Sequence, residues 1–137
     1  MRACTRQVPH VADLGLVIYA DTLEELFAEA ARAIAAYGRP RRKREVASAH
    51  VRLSARDAAA LLADWINELL GLSEIHRVGY RHARLTIRSV GTRVELCADL
   101  TGSRLDEWRC PIKAATYHGL KLEQRGGRWR AHVLCDV

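Results

Sequence analysis

Only two stretches of this chain space their apolar residues with the period of a helix, and both begin in its first half. In the first, Leu23, Leu26, Phe27, Ala30 and Ile34 fall on one face, while Glu25, Glu29 and Arg32 fall elsewhere. Asp21 and Thr22 offer capping oxygens ahead of it, and Glu24 and Glu25 sit where the positive end of the helix dipole favours acids. Gly38 stops it just after Tyr37. In the second, Leu61, Leu62, Trp65, Ile66, Leu69 and Leu70 make a wide apolar stripe. That helix opens within residues 54–57 and is expected to run through Leu72, with Trp65 in the core.

The rest of the pattern belongs to strands. A run beginning near Asp13 and ending at Ala20 precedes the first helix, and residues 46–53 alternate between the helices. After the second helix, strands are expected over 80–90, 93–100, 112–115, 117–123 and 129–137. Gly91-Thr92 and Gly126-Gly127 supply tight turns among them. This order predicts an α+β fold with a mixed or largely antiparallel sheet and the two helices packed on one face. The 137 residues are enough for a single domain, 1–137, and too few for two ordinary ones.

Several function classes are disfavoured. No apolar run approaches the roughly 20 residues needed to span a bilayer, and the first residues lack the apolar core of a secretory signal, so a cytoplasmic protein without membrane contact is expected. Cys4, Cys97, Cys110 and Cys135 form no C-x-x-C pair and are expected to be free thiols. Phosphate-binding glycine loops, nucleophile elbows and the H-E-x-x-H zinc motif are absent. A net charge of +6, carried almost entirely by arginine, suits an anionic partner. The densest charge run, residues 39–44, reads as an exposed loop and as the basis of an alternative function, a stand-alone basic RNA-binding module. The lack of an aromatic stacking motif weighs against that alternative.

Two carboxylates lie in unusual places. Asp13 begins an apolar strand, and Asp136 lies inside the apolar run that closes the sequence, beside the carboxylate of Val137. An acid in apolar surroundings is costly unless it is hydrogen-bonded, paired or bound to a cation. Were the two ends to meet, the oxygen donors would suit Ca²⁺ or Mg²⁺ rather than zinc. Spacing alone leaves open the plainer roles of a turn cap for Asp13 and a terminal residue for Asp136. His10 beside Asp13 and His118 near Lys113 are the other acid-base candidates.

Taken together, these segments resemble the archease family. Residues 10–15, His-Val-Ala-Asp-Leu-Gly, resemble its opening H-T-A-D-[VI]-G, and residues 20–27 resemble G-D-T-L-E-E-A-F. Residues 65–70 are similar to W-L-N-E-L-L, residues 112–120 to V-K-A-V-T-Y-H-x-L, and Asp136-Val137 to the terminal D-[VI]. The resemblance implies an accessory protein, not itself an enzyme. Such a protein promotes guanylylation and turnover of the GTP-dependent RNA-splicing ligase of the RtcB type in tRNA splicing and RNA repair, with RNA contacted only indirectly or transiently. It further implies a bound divalent cation, usually calcium, with magnesium or manganese as alternatives. Its ligands would be Asp13, Asp136 and the terminal carboxylate of Val137, and Lys113 would assist ligase activation. His10, Thr116 and His118 would be supporting residues. The sequence departs from the family pattern at Val11 and over residues 106–111, on the approach to Lys113.

Overall fold

A computed structural model describes residues 2–9, 13–38 and 46–137. The basic run 39–44 and His10 with Val11 therefore lie outside the described residues. The first helix, α1 (Leu23–Tyr37), starts where Thr22 accepts a hydrogen bond from the Glu25 N–H at 3.1 Å. The second, α2 (Ala58–His76), starts where Asp57 does the same for Ala60 at 2.8 Å. Each side-chain cap satisfies one of the orphan donors of a first turn. The second helix passes the expected stop near Leu72, burying Ser73 on the way; Arg77, in the left-handed region at φ 54°, closes it.

Among the described residues, eight strands accompany the helices: β1 (Cys4–Pro9), β2 (Asp13–Ala20), β3 (Val46–Ala55), β4 (Val78–Val90), β5 (Arg93–Arg104), β6 (Ala114–Ala115), β7 (Lys121–Arg125) and β8 (Arg128–Asp136). All their pairings are antiparallel. They divide into two sheets rather than the one expected. The first has the order β1-β2-β8-β6, with β7 also paired to β8, and the second has the order β3-β5-β4. Both helices touch strands of both sheets. One continuous core results, with Leu16 and Ile18 of β2, Phe27 of α1, Trp65 of α2, Leu96 and Leu100 of β5, and Val133 of β8 all buried. The Trp65 indole N–H donates to the Phe27 carbonyl at 2.9 Å, so its single polar atom is satisfied inside that core.

Along β8, Ala131, Val133 and Cys135 face inward, while Arg130, His132, Leu134 and Asp136 share the outer side, as the period of two requires. The turns at Gly91-Thr92 and Gly126-Gly127 are where the sequence puts them. Other boundaries differ. The stretch 117–123 does not begin as a strand: the Leu120 N–H bonds back to the Tyr117 carbonyl at 3.2 Å, and Gly119 has φ 67°, so residues 117–120 turn before β7 starts at Lys121. Of the expected strand 112–115, only Ala114 and Ala115 pair.

The first strand, β1, escapes the period analysis and alters the reading of α1. It lies against β2 and the flank of α1, and Glu29 becomes buried there rather than solvated. The Glu29 carboxylate accepts hydrogen bonds from Thr5 Oγ1 at 2.8 Å and from the Arg32 Nε and Nη2 groups at 2.6 and 2.8 Å. Burial alone would raise its pKa; the hydrogen bonds from Arg32 and Thr5 and the charge of Arg32 outweigh burial and hold it below the ordinary carboxylate value.

Candidate functional site

The antiparallel register of β2 on β8 sets Asp13 directly opposite Asp136. Residues opposed in this way have Cα atoms about 4.5–5.5 Å apart and side chains on the same face, here the outer face of the five-stranded sheet. Both are exposed, and so is Val137, which follows Asp136. The two ends of the sequence that chemistry singled out are thus one place in space. The neighbouring Cys135 reports their charges. Its thiol is pushed up to about 12, first by burial and then by the carboxylates of Asp136 and Asp13 and by Cys110.

On the other side of β8, Ala114 pairs with Asp136 and Ala115 with Cys135. The Lys113 N–H donates to the Asp136 carbonyl at 2.8 Å, and the Thr116 N–H donates to that of Leu134 at 2.9 Å. Lys113 is exposed and stands one strand away from the carboxylate pair. Three strands remote in sequence therefore bring Asp13, Asp136 and Lys113 together. His118 is exposed, and its carbonyl lies 3.5 Å from Thr116 Oγ1, within the turn 117–120, so Thr116 and His118 are placed beside the segment that carries Lys113.

Helix α2 fixes that segment, a role that the residue types alone did not disclose. Asn67 uses both ends of its amide on Ala115: Oδ1 accepts from the Ala115 N–H at 2.7 Å, and Nδ2 donates to the Ala115 carbonyl at 3.1 Å. One helical turn earlier, Asp64 accepts a hydrogen bond from the Tyr117 hydroxyl. That bond, with slight desolvation and the charge of Asp64 adding to it, raises the pKa of the exposed Tyr117. A polar amide within an apolar helical stripe was the available signal, since Asn is a weak helix former that earns its place through a specific partner.

Residues 106–111, where the sequence leaves the family pattern, take a definite course. The Trp108 ring lies over Gly38, the Arg109 N–H reaches the Gly38 carbonyl at 3.4 Å, and Arg109 pairs with Glu107 at 2.8 Å. A Cβ on Gly38 would fall 2.0 Å from a Trp108 ring carbon, so only glycine permits this approach. Cys110 is half-buried, and burial raises its pKa. A cavity of about 420 Å³ opens beside Lys113, lined by Asn67, Glu74, Trp108, Arg109 and Cys110 among others.

The donor set at the strand ends is all oxygen, which suits a hard divalent cation over zinc. Among the described residues no group of three or more His, Cys, Asp or Glu side chains converges, so the described side chains bring only the two carboxylates of Asp13 and Asp136 to this place. His10 lies outside the described residues. Also among the described residues, no helix is long and apolar enough to cross a membrane.

Residues 6–137 match the Archease protein family. The protein archease of Methanosarcina barkeri is 31% identical over 134 residues, covering 93% of this chain and 92% of its own. That of Pyrococcus abyssi is 32% identical over 136 residues, covering 93% and 94%. In fold, the chain is similar to the solution structure of Methanobacterium thermoautotrophicum protein 1598, with a TM-score of 0.81 and 24% identity over 97% of this chain and 98% of that one. It is also similar to the crystal structure of an archease, described as a possible chaperone, from Thermotoga maritima, with a TM-score of 0.64 and 21% identity over 96% of each chain. With its two helices, its antiparallel sheets and a sequence match running nearly end to end, this chain belongs to the archease family.

Proposed function

We propose that this protein is an accessory activator of the GTP-dependent RNA-splicing ligase of the RtcB type, promoting its guanylylation and turnover in tRNA splicing and RNA repair in the cytoplasm without catalysing a reaction itself. Asp13, Asp136 and the terminal carboxylate of Val137 would hold a divalent cation, calcium foremost and magnesium or manganese as alternatives. Lys113 is the group that meets the ligase. Its compact, mobile ammonium suits a phosphate or an acidic side chain. RNA is met indirectly or transiently through the ligase. Thr116 and His118 support the Lys113 segment, and His10 orients the first turn.

One observation carries this reading: the strand register that places Asp13 opposite Asp136, with the Lys113 backbone bonded to Asp136. Ion binding at the carboxylates and the position of Lys113 are thereby coupled through a single peptide unit. The test is guanylylation of a cognate ligase under multiple turnover, with and without this protein and with Lys113→Ala. Stimulation by the native protein and its loss in a normally folded Lys113→Ala variant are expected. No stimulation of any cognate ligase removes the proposal, and full stimulation by Lys113→Ala returns that lysine to the class of ordinary surface residues.

A further inference from the structure

At the opposite end of β8 from the carboxylates, the outer face of the same sheet carries a second chemistry. A cavity of about 420 Å³ is lined by Cys4, Arg6, Tyr19, Glu123, Arg125, Arg128 and Arg130. Four arginines thus face one glutamate, and that glutamate lies 3.8 Å from Arg130. The register explains the convergence: Cys4 opposes Tyr19, Tyr19 opposes Arg130, Arg130 opposes Glu123, and Arg128 opposes Arg125. The guanidinium carbons of Arg128 and Arg130 stand 5.8 and 5.9 Å from the centre of the Tyr19 ring, which brings two like charges to one aromatic ring.

Arg128 is the informative member. Both terminal nitrogens of its guanidinium are buried and have no hydrogen-bond partner among the described residues, although the side chain lines the cavity. A buried donor without an acceptor is unfavourable, and a planar fork of donors matches phosphoryl oxygens better than any other common acceptor except carboxylate. The arginines extend from β1 to β7, three strand spacings or about 14 Å, which is more than one phosphoryl group covers. We propose that this cluster is a binding site for an anion bearing two or more phosphoryl groups, as presented by a polyphosphate or by a strand of nucleic acid. The site is separate from the carboxylate pair and does not depend on the ligase partnership: Arg130 and Asp136 are six residues apart on one strand, about 20 Å.

The experiment measures binding of a short fluorescent single-stranded RNA, and its displacement by inorganic tripolyphosphate, for the whole protein and two double variants. Arg128→Met with Arg130→Gln removes two cluster charges while leaving an apolar stem on Tyr19. Arg84→Gln with Arg88→Gln removes the same charge from the three-stranded sheet, where both residues are exposed. The cluster variant should bind RNA about a hundredfold more weakly, roughly tenfold per arginine or about 1.4 kcal/mol each. Its salt dependence should be shallower by about 1.4 in log–log slope. The Arg84/Arg88 variant should stay near native affinity. Displacement by tripolyphosphate makes a polyphosphate a sufficient ligand, whereas RNA that tripolyphosphate does not displace identifies the nucleic acid strand; either supports the site. Failure of both probes to bind overturns it, as does equal weakening in the two double variants. Thermal melting of Arg128→Met alone guards against a purely structural role. A binding arginine with orphaned nitrogens should be replaced without loss of stability, and a lower melting temperature with unchanged RNA affinity would make Arg128 a packing residue and end the proposal.

Discussion

Asn67 offers the sharpest test of how the Lys113 segment is held. Changing Asn67→Ala removes two hydrogen bonds, at 2.7 and 3.1 Å, and strands both backbone groups of Ala115, a buried residue. Each unsatisfied buried group costs about 1–3 kcal/mol. Because Asn67 itself is only half-buried and water can reach part of the gap, we expect a loss of about 2 kcal/mol in all rather than the full sum. A chain of 137 residues unfolds with an entropy of about 0.29 kcal/mol/K, so the melting temperature should fall by about 7 °C. Hydrogen exchange should localise the effect, with the amides of Lys113, Ala115 and Thr116 losing protection while the core of β5 keeps its own. Asn67→Asp should lie between the two proteins, since it retains the acceptor for the Ala115 N–H and loses the donor. Unchanged protection at Ala115 in Asn67→Ala would show that β8 alone fixes this segment and that the helix contact is incidental.

Three further outcomes are expected. Adding a few residues after Val137 turns its carboxylate into a neutral amide, so calorimetric titration should show weaker Ca²⁺ and Mn²⁺ binding than in the native protein, with Asp13→Asn and Asp136→Asn doing the same; equal affinity would restrict the ligands to side chains. The Glu29 pKa is lowered on folding, so its stabilisation is present above the unfolded carboxylate's pKa and is lost as pH falls through the folded one; Glu29→Gln should flatten the acid limb of the melting temperature against pH, and a parallel limb in both proteins would refute this. Gly38→Ala keeps an allowed backbone at φ −69° but drives a methyl into Trp108, so a loss of about 1–3 kcal/mol is expected, recovered when Trp108 is shortened to Leu in the same chain; a loss that persists in the double variant would place the strain elsewhere.

What the sequence disclosed follows from which interactions are local. The helices were legible because caps and apolar stripes are set within a few turns, and Thr22 and Asp57 do what their residue types suggest. The first strand was not: Cys-Thr-Arg-Gln-Val-Pro alternates poorly, and β1 is held at the sheet edge by register with β2 and by Thr5 on Glu29. Nor does a period of two say which strands share a sheet, so the separation of β3, β4 and β5 from the others was beyond it. The site divides the same way. The oddity of Asp13 and Asp136 as acids in apolar runs was visible, whereas their meeting depends on pairing between residues more than a hundred positions apart. Asn67 and the close contact of Trp108 with Gly38 belong to tertiary geometry, which no local spacing encodes.

The central place of β8 also governs when this fold can exist. Of the ten elements among the described residues it comes last in chain order, yet it pairs with β2 on one side and with β6 and β7 on the other. Until it emerges from the ribosome, β2 has a partner only in β1 and an unsatisfied edge along its other side, and its apolar face has no finished sheet to belong to. The three-stranded sheet and both helices precede β8 and can assemble before it is made; the five-stranded sheet cannot. Closure of that sheet is therefore a late step with long sequence separation, slow by the entropy of the loop it must close. The nascent chain spends that interval with an open strand edge, the condition in which chaperones and strand-swapped partners find their targets.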